Sequence, residues 1–238
     1  MKTIKHFFTA LLLVFAATSC IDGFVIEGNR IVNSEDRNTP AFTKVKSSGS
    51  FEVFIAAGET TEIVVEAEQT ILPYIETTVS GNTLLIDIPG WNSVVNHRPM
   101  KVFITMPVLE SAKLSGSGLI ETEAFENDEI ESFVSGSGSI VSEVTAEQVE
   151  AGISGSGKII IEGFASSTKF NISGSGNIFA GDLASENCSA LISGSGSMHV
   201  LVHDKLNAEI SGSGNVYYKG SPYIDYHVSG SGKVISEN

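Results

Sequence analysis

The chain has 238 residues, with 28 acidic and 14 basic side chains and a formal net charge of −14. A surface this acidic repels nucleic acid and anionic lipid headgroups, so we expect neither to be a partner. Hydrophobic residues make up 42% of the chain and the acidic residues are dispersed, which excludes a disordered acidic tail.

The first twenty residues are typical of an export signal. Lys2 and Lys5 precede an apolar run over residues 7–17, which is too short to cross a bilayer. Small residues then precede Cys20, as in bacterial lipoproteins, where the cysteine thiol takes a diacylglycerol. We predict a signal peptide over 1–19 and an outer-membrane lipoprotein, periplasmic or surface facing, held to the membrane by lipid on Cys20. The alternative is ordinary signal cleavage beside an unmodified cysteine.

Two regions separate this signal from the repeats described next. Residues 20–40 are mostly polar and end at Pro40, so we predict a lipidated tether. Residues 41–110 contain several short apolar segments separated by glycine, proline and asparagine, which indicates β-strands. Within them, Ser48-Gly49-Ser50 resembles a degenerate copy of the later repeat motif. We predict that this region caps one end of a repeat stack, whose open strand edge needs cover.

The rest of the chain repeats one tetrapeptide, Ser-Gly-Ser-Gly. Seven copies follow one another at spacings of 18 to 20 residues and begin at Ser115, Ser135, Ser154, Ser173, Ser193, Ser211 and Ser229. The residue before every copy is aliphatic, and the second residue after every copy is apolar. A flexible Gly/Ser linker has no reason to keep such columns, whereas a stack of β-coils does.

These patterns predict an all-β fold, a single-stranded β-helix or β-solenoid of about 19-residue coils over residues 111–238. We expect residues 41–238 to form one continuous domain. A helical repeat is excluded because two glycines in every coil would cost each helix about 2 kcal/mol. The strand edge exposed at the end of the stack, or one of its faces, is a candidate site for homo-oligomerisation.

The motif itself has two structural interpretations. If the strand runs straight through it, both glycines point inward and both serines point outward in hydroxyl ladders. If the motif is a corner, glycine supplies unusual backbone angles and serine caps the turn. We favour the straight strand because the apolar columns keep the same parity on both sides. Cys188 falls in a column of predicted core residues, so we expect a buried, inert thiol.

This arrangement resembles the putative auto-transporter adhesin, head GIN-domain family of Bacteroidetes lipoproteins. The resemblance covers about residues 41–235. It is carried by Phe51-Glu-Val-Phe-Ile55 followed by Gly58, by Lys101-Val-Phe-Ile-Thr-Met-Pro107, and by the serial motifs. It implies a β-helical fold, a cell-envelope location and an adhesive role, but no functional residue of the family can be placed on this chain.

We predict an adhesin or binding scaffold without catalysis. The repeats hold scattered aspartates and no arginine, so a polysaccharide lyase or hydrolase, the enzyme alternative, lacks its usual clustered groups. We also expect no cofactor and no metal, since His199 and His203 have no completing ligands. The best candidate contact for a glycan, or for a host or envelope surface, is the loop with Trp91, Asn92, His97 and Arg98. A structural or sensory envelope protein without an external ligand is the remaining alternative.

Overall fold

The computed structural model describes residues 25–90 and 93–237, and the strands dominate this part of the chain. The repeat region consists of β10 (Ser111–Gly116), β11 (Leu119–Gly136), β12 (Ser139–Gly155), β13 (Lys158–Gly174), β14 (Asn177–Gly194), β15 (Ser197–Gly212), β16 (Asn215–Lys219), β17 (Tyr223–Gly230) and β18 (Lys233–Ser236). Among the described residues no helix is both long enough and apolar enough to span a membrane.

Each repeat forms one coil, and the coils stack as parallel strands. Strands β11 to β15 are 16 to 18 residues long, and each pairs in parallel with the next. The motifs lie directly over one another: Ser135 aligns with Ser154, and Gly136 with Gly155. The predicted all-β solenoid of about 19-residue coils is therefore confirmed.

The core lies inside the coils and follows the alternation seen in the sequence. In β12 every second residue from Ile140 to Ala146 is buried, and again from Val149 to Ile153, with two exposed residues between these segments. Burying each aliphatic side chain contributes about 1.5–3 kcal/mol. A slip of one residue would turn a whole column of them to solvent, so the register of the coils is strongly specified.

The Ser-Gly-Ser-Gly motif is a corner, and our prediction of a straight strand was wrong. The first glycine of all seven motifs has a φ between +122° and +132°, and the strand breaks after it. At this corner one carbonyl accepts two hydrogen bonds: Ser137 N–H and Gly138 N–H both donate to Gly116 O at 2.9 Å. The motif serines Ser135 and Ser137 are exposed, so they do face outward, as predicted for the straight strand.

The two glycines of a motif meet different constraints. A Cβ on Gly136 would lie 2.6 Å from Gly116 O, in a backbone conformation that residues with side chains rarely adopt. Gly138 has no such φ, but a Cβ there would lie 2.5 Å from Leu114 Cδ2 and 2.6 Å from Gly118 O. The first glycine is needed for its backbone angle, and the second for its close approach to the coil below.

The stack extends into the N-terminal region. This region contains β1 (Val25–Glu27), β2 (Val32–Asp36), β3 (Lys44–Gly49), β4 (Glu52–Ala57), β5 (Glu62–Glu68), a 3₁₀ helix (Leu72–Tyr74), β6 (Glu76–Ser80), β7 (Thr83–Asp87), β8 (Ser93–Val95) and β9 (Lys101–Met106). Strands β3 and β4 form a coil beneath β10 and β11, with Ser48-Gly49 under Ser115-Gly116. Gly49 also has a positive φ, +112°, so the predicted degenerate motif copy is confirmed.

Phe51 replaces the second glycine in this lowest motif copy. Its side chain is buried, and its backbone lies where a Cβ on Gly118 would have to go. Below it, β7 and β9 pair in parallel with β3 and β4 although they follow them in the chain. Strand β5 runs antiparallel to β9, and β6 antiparallel to β7. Antiparallel strands thus cover this end of the solenoid.

Residues 25–36, which the sequence analysis assigned to a tether, are paired with the body of the domain. Strand β1 pairs in parallel with β8, and β2 pairs antiparallel with β5. Ile26 is buried in β1, which gives this short strand an apolar anchor, whereas every residue of β2 is exposed. Cys20 and the signal segment lie outside the described residues.

Cys188 occupies the core, as predicted. Its side chain is buried in β14, where it stacks between Thr168 of the coil below and Leu206 of the coil above. Burial raises the pKa of the thiol to about 12, although a hydrogen bond with the Thr168 hydroxyl works in the opposite direction. The thiol is therefore protonated at neutral pH and unreactive in the folded chain.

Candidate functional site

The loop between β7 and β9 holds the residues that the sequence singled out. Trp91 and Asn92 lie outside the described residues. His97 and Arg98 are exposed, and their backbone N–H groups donate to Glu68 Oε2 at 2.6 and 3.2 Å. The structure thus ties this part of the loop to the domain through its backbone, while both side chains extend into solvent.

Glu68 is a buried carboxylate that the sequence analysis did not identify. Besides the N–H groups of His97 and Arg98, it accepts a hydrogen bond from Arg30 N–H, in the turn between β1 and β2. Burial alone would raise the pKa of Glu68, but these backbone donors, with the nearby His97 charge, bring it below its ordinary value. Glu68 clamps the N-terminal turn to the loop of the candidate site. Its position at the end of an ordinary strand gives no sequence signal for this role.

A partly exposed apolar feature follows one column of outward positions. In the repeats these positions come three residues after the second motif glycine, and register pairing continues the column to Phe54 and Phe103 below them, through nine layers in all. We call this column the outer stripe; in stacking order it consists of Phe103, Phe54, Glu121, Val141, Ile160, Phe179, His199, Tyr217 and Ile235. Glu121 is its one charged carboxylate, and the six residues from Val141 onward cover five steps, about 24 Å.

Rings in the outer stripe stack on one another. The centroids of Phe179 and His199 are 5.3 Å apart, and those of His199 and Tyr217 are 4.6 Å apart, with interplanar angles of 19° and 11°. Phe54 and Phe103 stack in the same way at 5.4 Å. Because ring faces cover one another, a partner would meet mainly ring edges rather than the open face on which a sugar stacks.

Carboxylates flank the upper part of the outer stripe. Glu143, Glu162 and Asp182 align in successive coils, on the far side of the stripe from the motif. Glu237 Oε2 lies 3.2 Å from His199 Nδ1. A depression of about 200 Å³ lies between the rings of Phe179 and His199 and the carboxylates of Glu162, Asp182 and Glu237, and Lys219 also lines it. This surface is apolar along its centre, with three carboxylates and one ammonium group along its edge.

The sequence contains a pattern from which the outer stripe could have been predicted. Aligning the motifs places Ile160, Phe179, His199 and Tyr217 at the same offset, which is the observation that would have found it. In the sequence analysis, His199 was considered only as a metal ligand, together with His203. In the described ranges, 25–90 and 93–237, no group of three or more His, Cys, Asp or Glu side chains is arranged to hold a metal ion.

The stacked coils place this chain among the β-solenoid repeat proteins. Comparison with known sequences makes the assignment specific: this chain belongs to the family described as putative auto-transporter adhesin, head GIN domain, whose profile matches residues 41–222. The resemblance noted from the motifs is therefore confirmed. Among curated proteins, none is similar enough to count as a match.

Several solved structures share the fold. A putative adhesin from Bacteroides fragilis superposes with a TM-score of 0.84 at 24% identity, over 89% of this chain and 99% of that one. A putative adhesin from Parabacteroides merdae gives 0.70 at 24% identity, over 91% and 100%. A putative lipid binding protein from Parabacteroides distasonis gives 0.72 at 20% identity, over 90% and 100%. At these identities the likeness establishes the fold.

Proposed function

We propose that this protein is a non-catalytic adhesin of the cell envelope that binds a partner through the outer stripe. The observation that supports this role is the alignment of outward apolar side chains on one face of the solenoid; Phe103 and Phe179 are exposed, and the other rings and aliphatic groups of the stripe are half-buried. Soluble proteins rarely expose contiguous apolar patches of this kind unless the patch binds something. The family assignment and the adhesin-like solved structures agree with the proposal.

The chemistry of the stripe favours a protein partner with apolar and basic side chains. Ring edges and aliphatic groups offer van der Waals contact, and the row Glu143, Glu162 and Asp182 offers negative charge beside it. Complementary charge orients a partner and speeds its association more than it adds affinity. The chain as a whole has a net charge of −14, which also attracts a basic partner.

The test is adhesion of the purified protein to immobilised host-matrix and envelope proteins, with a glycan array beside them. The triple variant Phe179→Ser, His199→Ser, Tyr217→Ser removes the rings of the stripe and is expected to lower binding at least tenfold. A matched control, Phe164→Ser, Tyr74→Ser, Tyr223→Ser, removes exposed rings elsewhere and should bind normally. Adhesion that survives the first triple variant would contradict the role of the stripe, and a folded protein that binds no surface would contradict adhesion itself.

The loop at residues 90–99 remains a proposed glycan contact. It is supported by the exposed side chains of His97 and Arg98 and by the backbone hydrogen bonds that hold their loop to Glu68. Trp91→Ala should weaken glycan binding if Trp91 and Asn92 contribute to the contact. An unchanged affinity would leave the outer stripe as the sole candidate.

The membrane anchor is a proposal of the same kind. It is supported by the short apolar run and the small residues before Cys20. Growth with a labelled lipid precursor should label the wild-type protein but not a Cys20→Ala variant. Proteolysis of intact cells then separates a surface orientation from a periplasmic one. Label in the variant would exclude Cys20 as the modified residue.

A further inference from the structure

A second exposed apolar feature lies on the side of the solenoid that leads into the motifs. It is a groove of about 470 Å³, and we call it the motif groove. Its axis follows the column of outward residues two positions before each motif, and its other wall consists of the first motif serines from Ser115 to Ser193. This surface does not include any residue of the outer stripe.

A glycine makes room for an aromatic ring in the motif groove. In the outward column, register pairing places Gly152 between Phe133 and Asn171, with Leu191 one coil further on. The ring of Phe133 lies against Gly152, where a Cβ would be 2.7 Å from Cδ1 and Cε1. Leu191 is 40% exposed at the far end. The floor therefore runs from the ring of Phe133, past the single polar side chain of Asn171, to Leu191.

The charged residues lining the motif groove are both basic. Lys46 and Lys113 are aligned in neighbouring coils at the same end. The ammonium group of Lys113 pairs with Glu131 at 3.0 Å and lies 5.1 Å from the centre of the Phe133 ring. Within the described part of the chain, the ammonium group of Lys46 has no ion pair or hydrogen bond. An available cation at the end of an apolar groove is unusual in a chain whose net charge is −14.

We propose that the motif groove binds a long-chain fatty acid. The carboxylate would pair with Lys46, aided by Lys113, and the acyl chain would run over Gly152 to Leu191. Four coil steps separate Lys113 from Leu191, about 19 Å, which an extended long acyl chain spans. The serine hydroxyls along the opposite wall face solvent and keep the open side of the groove hydrated. The basic end selects an anionic head, and the apolar floor selects a hydrocarbon tail.

The test is titration of the purified protein with palmitate below its micelle concentration, followed by calorimetry and by displacement of a fluorescent fatty acid. Palmitate should bind at least tenfold more tightly than octanoate, because more of the chain contacts the floor. Hexadecanol, which has the same tail and no charge, should bind several times more weakly than palmitate. Equal affinity for all three ligands, or no binding of palmitate, would overturn the proposal.

Variants locate the site. Lys46→Glu and Leu191→Asp should each weaken palmitate binding about tenfold, whereas Phe164→Asp should not. Phe164 is a matched control because it is 44% exposed, against 40% for Leu191, and does not line the groove. Binding unaffected by the first two variants would overturn the assigned site. Capture by anionic phospholipid vesicles without palmitate binding would also overturn it, since the ligand would then be a membrane surface. Adhesion through the outer stripe is tested by other residues, so either proposal can fail alone.

Discussion

At the scale of single residues, the repeat motif combines two unlike uses of glycine. The first glycine provides a positive φ, and its carbonyl accepts one or two N–H groups from the next corner. The second glycine has an ordinary conformation and is required because the backbone of the coil below and, in six of the seven motifs, an aliphatic side chain approach it closely. Both glycines are present in all seven motif copies, so the sequence does not distinguish them. Their different roles are seen only in the three-dimensional structure.

This difference predicts the outcome of single substitutions. Gly155→Ala should lower the free energy of unfolding by about 2–4 kcal/mol, from left-handed backbone strain and overpacking together. Its φ is +122°, and a Cβ would lie 2.6 Å from Gly136 O. Gly181→Ala is the matched control, since its Cβ would meet no atom closer than 3.8 Å. Urea and thermal unfolding measure both variants. Equal stability would contradict a conformational requirement at the motif.

Glu68 predicts a pH dependence of the N-terminal clamp. Its pKa in the folded chain is below its ordinary value of 4.5, so the stabilisation is complete above about pH 4.5 and is lost as the pH falls through the lowered pKa. Glu68→Gln should lower the melting temperature at pH 7 and speed hydrogen exchange at His97 and Arg98. The difference from wild type should shrink below pH 4. Glu76→Gln, at an exposed carboxylate, should change neither measurement.

At the scale of one element, the inward side chains of each coil stack on those of the coils above and below within one continuous core. Cys188 in β14 reports on this packing, because Thr168 and Leu206 cover it from either side. Its burial raises the pKa of the thiol to about 12, so the stability it contributes is lost only as the pH rises from 9.0 towards that value.

The predicted readout is thiol accessibility. At pH 8 iodoacetamide should modify Cys188 in the folded protein at least about 100-fold more slowly than in urea, since both burial and the raised pKa suppress the thiolate. A variant that loosens the neighbouring coil, such as Leu206→Ala, should speed the reaction. Rapid modification of the folded wild type would contradict the position of Cys188 in the core.

The element scale also shows what the sequence could and could not predict. The inward columns were predictable because Ile140, Ile159 and Ile178 recur at one offset from the motif, and burial follows strand parity. The corner was not predicted because inward and outward residues keep alternating across the motif. The buried columns therefore continue past the corner, although the strand ends there. The outer stripe was encoded by the same offsets. Glu68 could not be found, since its three donors come from distant parts of the chain.

At the scale of the whole molecule, each coil contacts its neighbours, so stability is a sum of intrinsic and nearest-neighbour contributions. Interior coils have two packing partners, and their inward residues Leu206, Ile210 and Val216 are fully buried. In the last described coil, the aligned Ile224, Val228 and Val234 are only half-buried. The solenoid therefore has a gradient of local stability along its axis.

Hydrogen exchange should reveal this gradient. Amides of β12, β13 and β14 are expected to exchange slowest, and those of β17 and β18 fastest, because local opening there breaks pairing with one neighbour only. Amides of β5 and β9, at the covered end, should exchange more slowly than those of β17 and β18. Uniform protection along the stack would contradict nearest-neighbour stability and indicate a single cooperative unit.

Phe51 restricts the addition of further coils to one side of the stack. Above it, the motif corners align and the carbonyl of each first glycine accepts one or two N–H groups from the next corner, so a duplicated coil inserted among the repeats would find matching surfaces on both sides. Below Phe51 the second glycine is absent and the motif cannot continue. Duplication of coils would therefore lengthen the protein away from its covered end by about 4.8 Å per copy. The length of the solenoid could evolve in such steps without redesign of the core.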